Sequence, residues 1–332
     1  MDGALKDGLS AAQHRPAPQT GSVEDKEDFP VKPDLHQIMR VGIVAFMAFP
    51  DISSGDGPVL EAIEEICLDP FFESIELTRI NDEAIRRQAA AMLDASHMEV
   101  GFACQPIQLA AKLDLNSPDA ALRKRAVETL KSYLPMAKEL RATKFALLSG
   151  PDPGPAERDQ AVERLIDSLS ELCEAARPYG LAVTLEVFDR EIDKKAVIGS
   201  TKDAVRVAAR LRPRYPDFGL MLDLSHLPLQ GENSREALTL AKDYITHIHV
   251  GNCILDSSHP LYGDSHPRFG APGGVNDVAE LAEFLRVLLD IGYLSEGITR
   301  TVAFEVKPMP GESPQIVIAN AKRTLRAAWR QV

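Results

Sequence analysis

The chain has 332 residues, 45% of them hydrophobic and 26% charged, the composition of an ordinary globular protein with ample length for a large core. Its formal net charge of −12, from 37 basic and 49 acidic residues, argues against a nucleic-acid binder, which needs a basic stripe. No apolar run approaches the ~18 residues of a membrane-spanning helix, so no membrane partner is expected either.

Residues 1–38 are rich in Gly, Pro, Ser and charge and lack an apolar signal core, so they read as a flexible extension. Residues 39–332 read as one domain. Cys67, Cys104, Cys173 and Cys253 are widely spaced, with no CxxC or zinc-finger spacing, and read as reduced thiols of a cytoplasmic protein.

From Val41 onward, short apolar runs predict eight strands, over 41–46, 74–78, 98–103, 144–149, 181–187, 218–223, 247–250 and 302–306. Helical spacing predicts helices over 57–68, 83–95, 119–141, 159–176, 200–212, 234–243, 277–290 and 314–330. In 159–176, Val162, Leu165, Ile166, Leu169, Leu172 and Cys173 share one face, while Glu163, Arg164, Asp167 and Glu171 take the other. Ser117-Pro118 and Ser313-Pro314 mark helix starts. Eight alternations without a long unpatterned gap predict a closed (β/α)8 TIM barrel. An open doubly wound sheet would place a glycine-rich phosphate turn after its first strand, and MAFPDISSGDG is not one.

Barrel enzymes carry their chemistry at the C-terminal ends of the strands. Strand five, TLEVFDRE, delivers Glu186 there. Strand six, LMLDLSH, delivers Asp223 and His226. Strand seven, THIHVGN, delivers His247 and His249, and strand eight, AFEVKP, delivers Glu305 and Lys307. Alternation puts Glu186 on one face with Thr184, Glu305 with Ala303, and His249 with His247. Neighbouring strands run ~4.8 Å apart, so Glu186, Asp223, His249 and Glu305 can converge on one cation. Three carboxylates and one imidazole favour Mn²⁺, with Mg²⁺, Co²⁺ and Zn²⁺ as alternatives. Each residue has an ordinary alternative: Asp223 as a helix cap, Glu186 as a surface loop residue, His249 as a satisfied core histidine, Glu305 as an ion-pair partner of Lys307. Their arrival together at one barrel end is what marks a site. His247, two residues deeper, reads as a supporting residue.

With these residues placed, the stretch 41–330 resembles the xylose-isomerase-like barrels, the group of sugar phosphate isomerases and epimerases to which endonuclease IV is related. In the group's ketose 3-epimerases strand five carries a Glu-Val-x-Asn-Arg-x-Glu-like run. Here it reads Glu186-Val187-Phe188-Asp189-Arg190-Glu191, with Asp for Asn and the second glutamate one residue closer. The group's Asp-x-x-His matches Asp223 and His226, its strand-seven histidine matches His249, and its last metal glutamate matches Glu305. The resemblance implies that Glu186 and Glu305 are both metal ligands and the acid/base pair. It also implies that His226, Arg190, Glu191 and Lys307 bind substrate. The endonuclease Asp-x-His run is present as Asp264 and His266 in GDSHPRFG. The earlier strand ends FACQPIQ and LLSGPDPG lack the histidines of a trinuclear zinc site, so Asp264, His266 and Arg268 are expected to form a substrate-binding loop instead. APGG at 271–274 could bring backbone N–H groups to a phosphate.

A divalent ion can polarise a sugar carbonyl while one carboxylate removes the neighbouring proton and a second returns one, through an enediolate whose charge the metal stabilises. The expected function is therefore a metal-dependent sugar or sugar-phosphate isomerase or epimerase. A leaving group β to the carbanion would instead make a dehydratase, or a C-glycoside-cleaving lyase working with a small partner subunit. A sugar-binding barrel without catalysis is a third alternative, although it should lack one of the paired glutamates. The expected partner is a small carbohydrate, with homo-oligomers left open. Loop 257–274 could close over the sugar or take up an aromatic aglycone.

Overall fold

The computed structural model describes residues 33–332. Eight parallel strands close a barrel in sequence order: β1 Met39–Val44, β2 Ser74–Leu77, β3 Glu99–Ala103, β4 Ala142–Leu147, β5 Ala182–Glu186, β6 Gly219–Asp223, β7 Ile245–Gly251 and β8 Arg300–Glu305. The ring closes because β1 pairs with both β2 and β8. All eight predicted strands are present, each displaced by two residues or fewer at its start. The apolar runs thus mark the strands in their barrel order.

Outward side chains such as Ile43, Phe102, Phe145, Leu185, Val250 and Phe304 are fully buried beneath the helices. Each contributes about 1.5–3 kcal/mol by leaving water. Helix Arg158–Ala176 lays Val162, Leu165, Leu169 and Leu172 on the barrel as its periodicity predicts. Helices Glu83–Ala95 and Thr201–Leu211 start where Asp82 and Ser200 cap them by accepting backbone N–H bonds.

Three local readings differ from the structure. The predicted helix 119–141 is two helices, Ala120–Lys131 and Leu134–Glu139, because Pro135 can occupy a first turn but not a helix interior. The segment after β3 turns at once into helix Gln105–Ala111, with Pro106 in its first turn. Leu35–Ile38, assigned to the extension by composition, forms a short helix capped by Asp34 with Leu35 and Ile38 buried. The remainder of the extension, 1–32, lies outside the described residues.

The barrel's interior is not the apolar stack usual for this architecture. Register brings Gly42 beside Ser74, Glu76 beside Gly101, Gly101 beside Lys144, and His249 beside Ala303. Small residues thus alternate with long polar ones around the axis. A Cβ on Gly101 would stand 3.0 Å from Glu76 Cγ. Gly101→Ala is therefore expected to destabilise the fold by about 1–3 kcal/mol through overpacking. A urea-unfolding midpoint equal to the wild type's would show that Glu76 can move aside.

Candidate active site

At the C-terminal mouth the four predicted residues converge. One ligand-type atom from each of Glu186, Asp223, His249 and Glu305 lies within 4.8 Å of the others. His249 Nδ1 is 2.7 Å from Glu305 Oε2 and 3.5 Å from Glu186 Oε1. Yet Glu186 Oε1, Asp223 Oδ2, His249 Nδ1 and Glu305 Oε2 are all buried atoms. His249 Nδ1 and Glu305 Oε2 have only each other, and Glu186 Oε1 and Asp223 Oδ2 have no partner; three buried carboxylates facing one point are costly unless a cation compensates them. The donor set fits a hard divalent ion.

The other atoms of these groups are tied down. Asp223 Oδ1 accepts the Ser225 N–H at 2.7 Å, so this residue caps the next turn with one oxygen and faces the cluster with the other. Glu186 Oε2 accepts from Gln105 Nε2 at 2.6 Å, which is how the unforeseen helix after β3 enters the site. His249 Nε2 lies 2.8 Å from Glu76 Oε1, and His247 Nε2 reaches the same oxygen at 2.7 Å. Burial pushes the Asp223 carboxyl up, and nearby Glu305 adds to it, while His226 opposes both. Burial also acts on Glu76, but His249 and His247 outweigh it and hold this carboxyl well below its ordinary value.

A second polar group adjoins the first. Asp264 Oδ1 stands 3.1 Å from His226 Nε2 and 2.8 Å from His266 Nε2, and His226 donates from Nδ1 to the Val187 carbonyl at 2.9 Å. Burial would lower both imidazoles. Asp264 overcomes it, aided by Asp223 at His226, which rises well above its usual value, and by Glu305 at His266, which rises to about 9. Asp223, His226 and His266 form a further set of close ligand atoms. Asp264 Oδ2 takes an ion pair from Lys194 Nζ at 2.8 Å.

His266 holds this place at a backbone φ of +50°, uncommon for a residue with a side chain. Its Nδ1 lies 3.1 Å from the Glu305 carbonyl, and its own carbonyl accepts the Lys307 N–H at 2.7 Å. Only glycine fits between them at 251, since a Cβ there would meet the Glu305 carbonyl oxygen at 2.5 Å and His266 Nδ1 at 2.9 Å. This is the physical reason for glycine in HIHVGN. The asparagine that follows stitches the long loop: Asn252 Oδ1 accepts the N–H groups of Cys253 and Asn276, and Asn276 Nδ2 donates to the Leu224 and Gly251 carbonyls. Phe269 of this loop is part of the core, so it is unavailable to an aglycone.

The cluster opens into a cleft of about 270 Å³. Glu76, Glu186, His249, Asp264, His266 and Glu305 line its polar part, and Lys194 and Lys307 also face it. Phe46, Met47, Pro50, Pro106, Leu109 and Phe188 make the rest apolar. His226 is buried behind the cleft against Asp264.

Besides His226, three residues assigned to substrate binding are not brought to the cleft. Arg190 turns away to Asp203 at 2.6 Å and to the Val197 carbonyl at 2.9 Å. Glu191 is exposed because Asp189 accepts the N–H groups of Ile192, Asp193 and Lys194, curling the loop so that Lys194 faces inward instead. Arg268 pairs with Glu312 at 2.9 Å. Lys307 has no ion pair with Glu305 among the described residues and lies exposed at the cleft.

Sequence reasoning passed over Glu76, Gln105 and Lys194. Glu76 carried a usable signal, a carboxylate in the middle of the apolar strand SIEL that had to be paired or ligating.

This fold and site define a class of protein, the metal-capable (β/α)8 barrel with its donors on strands five to eight. A family model described as xylose isomerase-like TIM barrel matches residues 62–324, and the chain belongs to that family. Among solved structures it resembles a D-tagatose 3-epimerase-like protein (18% identity, 88% of this chain and 99% of that one, TM-score 0.66). An L-ribulose 3-epimerase is similar at 17% identity, covering 88% and 96%, with TM-score 0.67. The IolI protein, whose structure has a bound zinc atom, is similar at 16% identity, covering 89% and 99%, with TM-score 0.67. At these identities the likeness shows the fold. Among the described residues no helix is long and apolar enough to cross a membrane.

Proposed function

We propose that the chain is a divalent-metal-dependent isomerase or epimerase of a sugar or sugar phosphate, acting by proton transfer at a carbon next to a carbonyl. The observation that carries this reading is the convergence of four buried ligand atoms, three of them carboxylate oxygens and two of those on glutamates from β5 and β8. Glu186, Asp223, His249 and Glu305 would hold the ion, with Mn²⁺ favoured by the excess of carboxylates. When bound, it would supply Lewis-acid polarisation of the carbonyl.

The chain's own residues supply the proton chemistry. Glu186 and Glu305 both line the cleft and are fixed by different neighbours, so each can hold or give up a proton from its own side of a substrate. Gln105 orients Glu186 through Oε2. His226 and His266, kept protonated by Asp264, spend their N–H groups on Asp264 and on the Val187 and Glu305 carbonyls, so they add positive charge beside the cleft. The apolar walls exclude water from the reacting carbon and strengthen these interactions.

The apolar lining also favours a second reading. A cleft with Phe46, Met47, Leu109 and Phe188 in its walls accepts a substrate with an apolar substituent. That keeps a dehydratase or C-glycoside-cleaving lyase, with its small partner subunit, as the alternative.

The test is solvent deuterium exchange. Protein stripped with chelator and restored with Mn²⁺ or Co²⁺ is incubated in D₂O with a panel of ketoses and ketose phosphates and followed by NMR. Metal-dependent deuterium beside the carbonyl, with a new epimer or aldose, is the expected result. Metal binding without exchange on any simple sugar would overturn it in favour of the lyase.

A further inference from the structure

We propose that the N-terminal mouth of the barrel, opposite the candidate active site, is a second binding site, which takes the phosphate group of a small phosphorylated molecule between Arg212, Lys242 and Arg300.

A cavity of about 540 Å³ opens at this end. Arg300 is the first residue of β8 and Glu305 its last, so the two mouths are about 16 Å apart along the strand at ~3.3 Å per residue. No residue lines both this cavity and the cleft. Five basic residues line it: Arg40, Lys144, Arg212, Lys242 and Arg300. Three come from β1, β4 and β8, and two from the ends of helices Thr201–Leu211 and Ser234–Ala241. Only two carboxylates, Glu99 and Asp243, share the wall. This surplus of positive charge stands in a chain whose net charge is −12.

The two carboxylates leave the surplus in place. Glu99 is held between Arg40 and Lys144. Asp243 is exposed and makes no ion pair among the described residues. Arg212 donates to the carbonyls of Pro216, at 2.8 Å, and Asp243, at 3.2 Å, which leaves its charge uncompensated. Arg300 lies over the Tyr293 ring, 5.0 Å from the centroid. Neither Arg300 nor Lys242 has an ion pair among the described residues. Thr246, in the same wall, has a buried hydroxyl without a hydrogen-bond partner. Burial lowers the Lys144 ammonium to about 8; Glu76 opposes the fall and Arg40 adds to it.

These features select the ligand. Like charges gathered around one concavity repel each other, and low-dielectric walls focus their field on an anion. Two guanidinium forks and an ammonium suit the several charged oxygens of a phosphate. Three unspent cations exceed what a single carboxylate balances. The cavity is larger than a phosphate ion, so it has room for a diphosphate or for the body of a phosphate ester.

Full-length protein, stripped of metal so that the cluster at the other mouth draws no phosphate, would be titrated by calorimetry with inorganic phosphate, pyrophosphate and glycerol phosphate. One pyrophosphate per chain is expected to bind, with affinity falling as sodium chloride rises from about 50 to about 300 mM. Lys242→Gln, a change at an exposed position, and Arg300→Gln should each weaken binding about tenfold, the loss of one charge-assisted contact. Lys307→Ala, in the cleft, should leave it within about twofold. Tighter binding of glycerol phosphate than of inorganic phosphate would identify an ester as the ligand, and the reverse the free ion; both uphold the site. Wild-type protein that binds none of the three at ~10 mM would overturn it. So would binding that Lys307→Ala abolishes while Lys242→Gln and Arg300→Gln leave it unchanged, since the anion would then sit in the cleft. None of these readouts involves turnover, so the site stands or falls apart from the isomerase reading.

Discussion

Glu186→Gln and Glu305→Gln are each expected to lower net isomerisation or epimerisation by about 10²–10⁴-fold, the range for loss of a positioned acid or base. Glutamine keeps the size and one carbonyl oxygen, so Gln105 can still donate to residue 186 and the fold should persist. What is lost is the ability to carry a proton. In an epimerase the two variants should also differ in an informative way. If each glutamate serves one face of the reacting carbon, each variant retains deuterium exchange from the epimer whose proton its remaining carboxylate removes, while inversion fails in both. If one glutamate does all the proton transfer, exchange and inversion vanish together in that variant alone. Turnover within tenfold of wild type in both variants would end the acid/base assignment. Mn²⁺ calorimetry on the same proteins separates lost proton transfer from lost metal, since three of the four donors remain.

The barrel was legible because its two periodicities are strong. Eight apolar runs of four to seven residues alternate with amphipathic stretches, and one closed solution uses them all. The donor set was legible for the same reason: Glu186, Asp223, His249 and Glu305 stand at strand ends, and alternation along a strand decides which way each side chain faces. The loop residues were not legible in this way. Arg190 and Glu191 sit in a segment whose course depends on Asp189 gathering three backbone N–H groups, and no period in the sequence encodes that curl. Arg268 is claimed by Glu312, forty-four positions away, a pairing that only the folded loop creates.

Glu76 failed for a different reason. Its strand lies outside the four that carry the donors, and its partners His247 and His249 are 171 and 173 positions distant. The charge inside SIEL could have been flagged as costly, but nothing local names its partners. Small residues around the axis gave a weaker hint. Gly42, Ser74, Gly101 and Ala303 are poor strand formers, and they make sense once long polar side chains must share the interior with them.

Asp223→Asn is expected to stabilise the metal-free protein and abolish most of the stabilisation that a metal confers. In the metal-free site Asp223 is buried, crowded by Glu305 and has one oxygen without a partner, so its charge opposes folding at neutral pH. Asparagine retains the Oδ1 acceptor for the Ser225 N–H and turns the orphaned oxygen into an N–H₂ donor towards the neighbouring carboxylates. Relieving a buried acceptor left without a partner is worth about 1–3 kcal/mol. For the wild type, Mn²⁺ at about 100 times its dissociation constant should add about 2.7 kcal/mol by mass action. The variant, with a neutral ligand in place of a carboxylate, should gain far less at the same concentration. Urea unfolding of both proteins with Mn²⁺ and with chelator therefore gives crossing stabilities: the variant higher without metal, the wild type higher with it. A variant less stable than wild type under both conditions would mean that the carboxylate at 223 serves the fold, as a cap and no more. The crossing is what a site shaped for a cation demands, because the repulsion that destabilises the empty cluster is the same interaction that a divalent charge reverses.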